Sequence, residues 1–97
     1  MSVMIALEMP VKPEMLEEYL SILKGALVDT RSYKGCISVT TLVDQETSSV
    51  LLIEEWDSVE YQQAYMAWRV ETGLIEAISP FMQGELVTRT FDLKTEI

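Results

Sequence analysis

The sequence predicts an α+β fold of ferredoxin-like order, β-α-β-β-α-β, built on a four-stranded antiparallel sheet. Three features carry the prediction. Four strand-length apolar segments alternate with two helical repeats in the required order. A polar connector, residues 44–49, joins the two middle strands as a hairpin with a longer loop. No internal repeat, linker or low-complexity tract divides the 97 residues, so a single domain over residues 1–97 is expected.

Met4 to Met9 reads as the first strand, stopped by Pro10. Pro13 suits a first helical turn, where its missing N–H costs nothing. Glu14, Glu17 and Glu18 follow at the positive end of the helix dipole. Leu16, Leu20, Leu23 and Leu27 recur at helical spacing beside Tyr19, which predicts a helix over 13–30. Lys24 and Arg31 lie toward its negative end. Gly35 punctuates the exit, and Cys36 to Val43, rich in β-branched residues, is the second strand. Val50 to Trp56 is the third. Asp57 offers an N-cap with Glu60 three residues on, opening a second helix over 58–70. Thr72-Gly73 interrupts it, a short helical piece follows before Pro80, and Glu85 to Phe91 is the last strand.

These strands do not alternate cleanly. Ile5 and Leu7 oppose Met4 and Ala6, Val50 and Leu52 oppose Leu51 and Ile53, and Leu86 opposes Val87 and Phe91. A lone subunit would expose an apolar sheet face. Two sheets packed across a two-fold axis would cover it, so a homodimer is expected.

Seven basic against sixteen acidic residues give a net charge of −9, with a pI near 4.3 and a mean hydropathy of +0.16. Such a chain repels phosphate backbones and anionic lipid heads, which argues against nucleic acid and membrane partners. No run approaches the roughly 20 apolar residues of a membrane span. The single cysteine, Cys36, cannot close an intramolecular disulfide, and the N-terminus carries no basic leader region; a cytoplasmic location is expected. Histidine and asparagine are absent altogether. That removes the imidazole base, the axial histidine of haem and the ordinary zinc site. Neither common glycine-rich phosphate cradle occurs. No cofactor and no metal are expected, and any chemistry falls to Glu, Asp, Tyr, Lys, Arg or the substrate itself.

Spacing gathers one constellation. Period two puts Glu54 and Trp56 on one strand face with Val50 and Leu52. On the second helix Tyr61, Ala64, Tyr65 and Trp68 fall at offsets 0, 3, 4 and 7, an aromatic stripe. If that stripe faces the sheet, it encloses a slot suited to a flat, partly apolar, oxygenated molecule. The plainer reading makes the stripe ordinary core, Trp56 a packing plug and Glu54 the partner of Arg89 on the last strand. Otherwise, desolvation lifts the Glu54 pKa toward the range of a general base. Cys36 reads as a small buried hydrophobe, and the six methionines as adaptable packing.

Three segments resemble the antibiotic biosynthesis monooxygenase family. Val11-Lys12-Pro13-Glu14 resembles its strand-to-helix junction, Lys34-Gly35-Cys36-Ile37-Ser38-Val39 its "PGC" lead into the second strand, and Leu52-Ile53-Glu54-Glu55-Trp56-Asp57-Ser58 its "E-x-W-x-S" strand end. The resemblance covers roughly residues 3 to 92 and implies a dimeric α+β barrel. Where many relatives carry a histidine nine residues past the tryptophan, this chain has Tyr65. Where phenol-oxidising relatives carry an asparagine four residues before it, this chain has Leu52.

The resemblance implies a cofactor-independent monooxygenase acting on a hydroquinone, anthrone or similar phenol, whose phenolate or carbanion itself reduces O₂. Glu54 and Tyr65 are then the catalytic candidates, accepting or relaying the proton, while Trp56, Tyr61, Trp68 and Leu52 hold the aromatic substrate. The alternative is a non-enzymatic small-molecule binding or interaction module on the same dimeric scaffold. An isomerase-like activity on small carbonyl metabolites is a third reading, by analogy within the fold.

Overall fold

Period-two burial organises the sheet in the computed structural model, which describes residues 2–97. In β1 (Val3–Pro10), Val3, Ile5, Leu7 and Met9 are buried and the residues between them are not. β3 (Ser49–Trp56) repeats the pattern with Val50, Leu52, Glu54 and Trp56. The two strands pair antiparallel, Ile5 opposite Glu54 and Leu7 opposite Leu52, so their buried rows share one face. β2 (Cys36–Asp44) adds to β3 as the expected hairpin, and β4 (Val87–Asp92) adds to the free edge of β1. The sheet order is β2-β3-β1-β4, wholly antiparallel, which is the ferredoxin-like arrangement.

A 3₁₀ turn at Pro13–Met15 starts the first helical segment, and α1 runs Leu16–Ser32. It buries Leu16, Tyr19, Leu23, Leu27 and Thr30, the stripe that its leucine spacing dictates. Together with Leu7, Met9, Val50, Leu52 and Phe81, the first four of this row form the larger core. α2 (Val59–Glu71) begins one residue later than the acidic spacing suggests. Ser58, extended at φ −159°, is the cap, and its hydroxyl accepts from the Tyr61 N–H at 3.3 Å. Asp57 and Glu60 therefore form no capping box. Gly73, at φ +98°, turns the chain into α3 (Leu74–Ile78), and a 3₁₀ turn at Ser79–Phe81 follows. Gly35, at φ +94°, lets the chain pass against Tyr61; a Cβ there would run into the tyrosine ring.

Among the described residues no helix covers the other sheet face. On it Met4 lies between Glu55 and Phe91, Ala6 between Ile53 and Arg89, and Glu8 between Leu51 and Val87, with Leu42 beyond Leu51, so apolar and charged residues share the face. Leu42 is 48% exposed, Val87 49% and Phe91 42%. The chain exposes 6134 Å², roughly a tenth more than the ~5,600 Å² usual for a compact monomer of this mass. β4 is exposed on both faces and spans Val87–Asp92 rather than the expected 85–91.

Candidate functional site

β3 delivers two polar groups into the helix-covered layer. Glu54 is 2% exposed and Trp56 fully buried. Both side chains point to the same face, and the Trp56 Nε1–H donates to Glu54 Oε1 at 2.8 Å. A buried carboxyl without a partner is costly, and this bond is its compensation. Burial pushes the Glu54 pKa up, while the indole hydrogen bond pulls it partly back. Arg89 does not pair with it. Arg89 sits opposite Ala6, on the uncovered sheet face, and its guanidinium lies 4.8 Å from the Phe91 ring centroid. The expected Glu54–Arg89 pair is thus corrected by sheet register.

The aromatic stripe is corrected as well. α2 is turned so that Gln62 and Tyr65 are its buried residues, with Arg69 next in that row. Tyr33, just past α1, is the reason. Its ring sits 5.2 Å from Tyr65, 5.5 Å from Trp68 and 6.4 Å from Trp56, and the Trp56 and Tyr65 rings are 5.2 Å apart. Trp68 therefore stacks on Tyr33 rather than facing the sheet. Tyr61 packs over Gly35, with Lys34 Nζ 5.7 Å from its ring. These aromatics close one end of the helix–sheet interface.

Beside them lies a cavity of about 850 Å³. The sheet supplies Leu7, Leu52 and Glu54, α1 supplies Leu27, and α2 supplies Tyr65 and Arg69. Residues of α3 contribute to the wall as well, among them Leu74 and Ile78. Of the sequence candidates, Glu54, Tyr65 and Leu52 are thus brought together. Trp56, Tyr61 and Trp68 are not part of this wall. The lining is mostly aliphatic, so the aromatic slot expected from spacing is a core block with an aliphatic cavity next to it.

Tyr65 is the centre of a network that spacing alone did not single out. Its hydroxyl oxygen lies 2.6 Å from Thr30 Oγ1 and accepts from Arg69 Nε at 2.8 Å. Arg69 Nη2 donates to Thr30 Oγ1 at 3.1 Å and to the Ala26 carbonyl at 2.7 Å, tying α2 to α1. Arg69 follows Tyr65 by four residues, and Thr30 follows Leu27 by three; those offsets are the signal that was there to read. Tyr19, also in the wall, donates to Met9 Sδ at 3.0 Å, and burial pushes its pKa up to about 12. It stays neutral. Burial and the neighbouring Glu54 push the Cys36 thiol up, with Arg31 opposing, so little thiolate forms there. Among the described residues, no group of three His, Cys, Asp or Glu is placed to hold a metal. No helix of the described residues is long and apolar enough to cross a membrane.

The raised Glu54 pKa has a consequence for stability. The folded state binds this proton more tightly than the unfolded chain, whose carboxyl titrates near 4.5. Its stability contribution is therefore full below that value and is lost as pH rises through the higher folded value. Glu54→Gln keeps an acceptor for Trp56 and abolishes the titration. The variant should gain melting temperature relative to wild type between acid and neutral pH. A difference that stays constant with pH would mean that Glu54 titrates alike in both states.

Comparison with known proteins agrees with this fold. The sequence model of the family described as antibiotic biosynthesis monooxygenase matches residues 2–77. No curated protein matches the chain. Among solved structures, a conserved protein from Methanosarcina mazei is similar at a TM-score of 0.83 and 18% identity, over 96% of this chain and 93% of that one. An antibiotic biosynthesis monooxygenase is similar at 0.82 and 20% identity, over 95% and 98%. A monooxygenase of Streptomyces coelicolor, solved with the ligand nanaomycin D, is similar at 0.79 and 18% identity, over 96% and 88%. At these identities the structural likeness speaks for the fold, whereas the sequence match spans most of the chain. On that match, the chain belongs to the antibiotic biosynthesis monooxygenase family.

Proposed function

We propose that the chain is a cofactor-independent monooxygenase acting on a hydroquinone, anthrone or similar phenol held in the cavity between the helices and the sheet. One observation carries the reading. A buried carboxyl of raised pKa and a tyrosine hydroxyl share the wall of an otherwise largely apolar cavity. Family membership supports it, as does a neighbour of the same fold solved with nanaomycin D. An anthrone that loses a proton to the Glu54 carboxylate becomes a carbanion able to give one electron to O₂. Recombination gives a hydroperoxide, and loss of water leaves a ketone, so one CH₂ and one O₂ become one C=O and one H₂O. Burial makes Glu54 a stronger base than an exposed carboxylate. Tyr65, held by Arg69 and Thr30, is placed to steady the oxygen on which charge develops. Leu7, Leu27 and Leu52 keep water from the reactive intermediates.

Oxygen uptake with a panel of anthrones and naphthoquinols, no cofactor added, tests this directly. Turnover should fall about 100-fold in Glu54→Gln and fall also in Tyr65→Phe. A non-enzymatic small-molecule binding module is the second reading. It is favoured by the wall itself, which is mostly aliphatic and whose Tyr65 hydroxyl is already engaged by Thr30 and Arg69. Saturable binding without oxygen uptake would decide for it.

We further propose a homodimer in which the uncovered sheet faces pack together, because Leu42, Val87 and Phe91 otherwise remain in water. Light scattering should give twice the 11.0 kDa of the chain. Ile53→Lys, opposite Ala6 and Thr40 in the middle of that face, should give monomer or aggregate. A wild-type chain of monomeric mass at micromolar concentration would contradict the assembly.

A further inference from the structure

The guanidinium of Arg69 is only half engaged. Its Nε and Nη2 are taken by Tyr65, Thr30 and the Ala26 carbonyl, all of them neutral. Among the described residues none accepts from Nη1, and no carboxylate pairs with the group, although the chain carries sixteen Asp and Glu. Arg69 also contributes to the wall of the 850 Å³ cavity. It lies over the Tyr65 and Trp68 rings, 5.3 and 4.8 Å from their centroids, so its plane is fixed by stacking as well as by hydrogen bonds. Of the cavity's two carboxyl groups, Glu71 is exposed, and Glu54 is pushed up by burial and pulled partly back by Trp56, with no cation contributing. Arg69 and Glu54 therefore act separately.

A fixed, partly buried cation without a counter-charge, set beside largely aliphatic walls, is complementary to one kind of molecule. We infer that Arg69 anchors a carboxylate on the ligand of this cavity, its apolar body lying over Leu7, Leu27 and Leu52 with Tyr65 beside the anionic group. This rests on the cavity being the ligand site and narrows the substrate class to apolar ring compounds bearing an acidic arm. Tyr65 and Thr30 act on Arg69 as holders, taking Nε and Nη2 respectively so that Nη1 is left for the ligand.

The test compares 1-naphthylacetate with its neutral isostere 1-naphthylacetamide by calorimetry on the wild-type chain. The acid should bind roughly tenfold more tightly at low salt, and the preference should shrink as salt is raised. Arg69→Gln should abolish the preference, and Arg69→Lys should keep part of it. Equal affinity for acid and amide in the wild-type protein, or a preference that survives in Arg69→Gln, would overturn the anchor while leaving the cavity as a ligand site. Binding of neither compound would overturn both, with oxygen uptake reading the monooxygenase proposal independently. The wild-type pair and its salt dependence decide the matter even if the glutamine variant does not fold.

Discussion

The arrangement around the site depends on one buried hydrogen bond, Trp56 Nε1–H to Glu54. A carboxyl placed on a central strand and taken out of water needs a donor, and the indole two residues along the same face provides it. That bond fixes the plane of the largest side chain in the core. Tyr65 and Tyr33 then cover the indole at ring-packing distance, and Trp68 covers Tyr33. The aromatic residues are thus consumed at one end of the interface between α2 and the sheet. At the other end aliphatic residues and methionines make up most of the wall, and they leave the cavity unfilled. Unfilled apolar space forgoes dispersion contacts, and an apolar ligand restores them.

The cavity also needs its two helices held in place without filling the space between them. Arg69 does this by reaching from α2 to the Ala26 carbonyl and Thr30 of α1, with Tyr65 as a third point. The clamp uses polar contacts between the two helices, with Thr30 and Tyr65 themselves buried, and leaves the apolar space beside it open. In a chain of net charge −9, a cation with an unused donor in such a place also sets a local sign opposite to that of the molecule as a whole. Structure and recognition meet in the same side chain.

Much of the fold was legible because its signals are local. Period two in β1 and β3, the leucine spacing of α1 and the polar 44–49 connector place the elements within one or two residues of where they stand. The faces were harder. The rotation of α2 is not legible from spacing, because Tyr61 and Trp68, amphipathic by nature, look like sheet-facing residues at helical spacing. Their true positions are set by Tyr33 and Gly35, which come from a distant part of the chain. The Arg89 error has a similar source: its face follows from the β1–β4 register, Ala6 opposite Arg89, and no turn residue links those strands to announce it. Glu54, Tyr65 and Leu52 were legible as a group because strand and helix periodicity each marked them. Arg69 and Thr30 were not, since a lone basic residue and a lone threonine on helices usually face solvent.

The central claim, that ligand enters the aliphatic cavity bounded by Glu54, Tyr65 and Arg69 and stays out of the aromatic block, has a direct measurement. Methyl-labelled protein is mixed with 1-naphthol, and intermolecular nuclear Overhauser effects are recorded to the assigned side chains. The account predicts contacts from the naphthol ring to the methyl groups of Leu27, Leu52 and Ile78 and none to the Trp56 indole. Contacts to Trp56 or Trp68 with none to those methyls would contradict it.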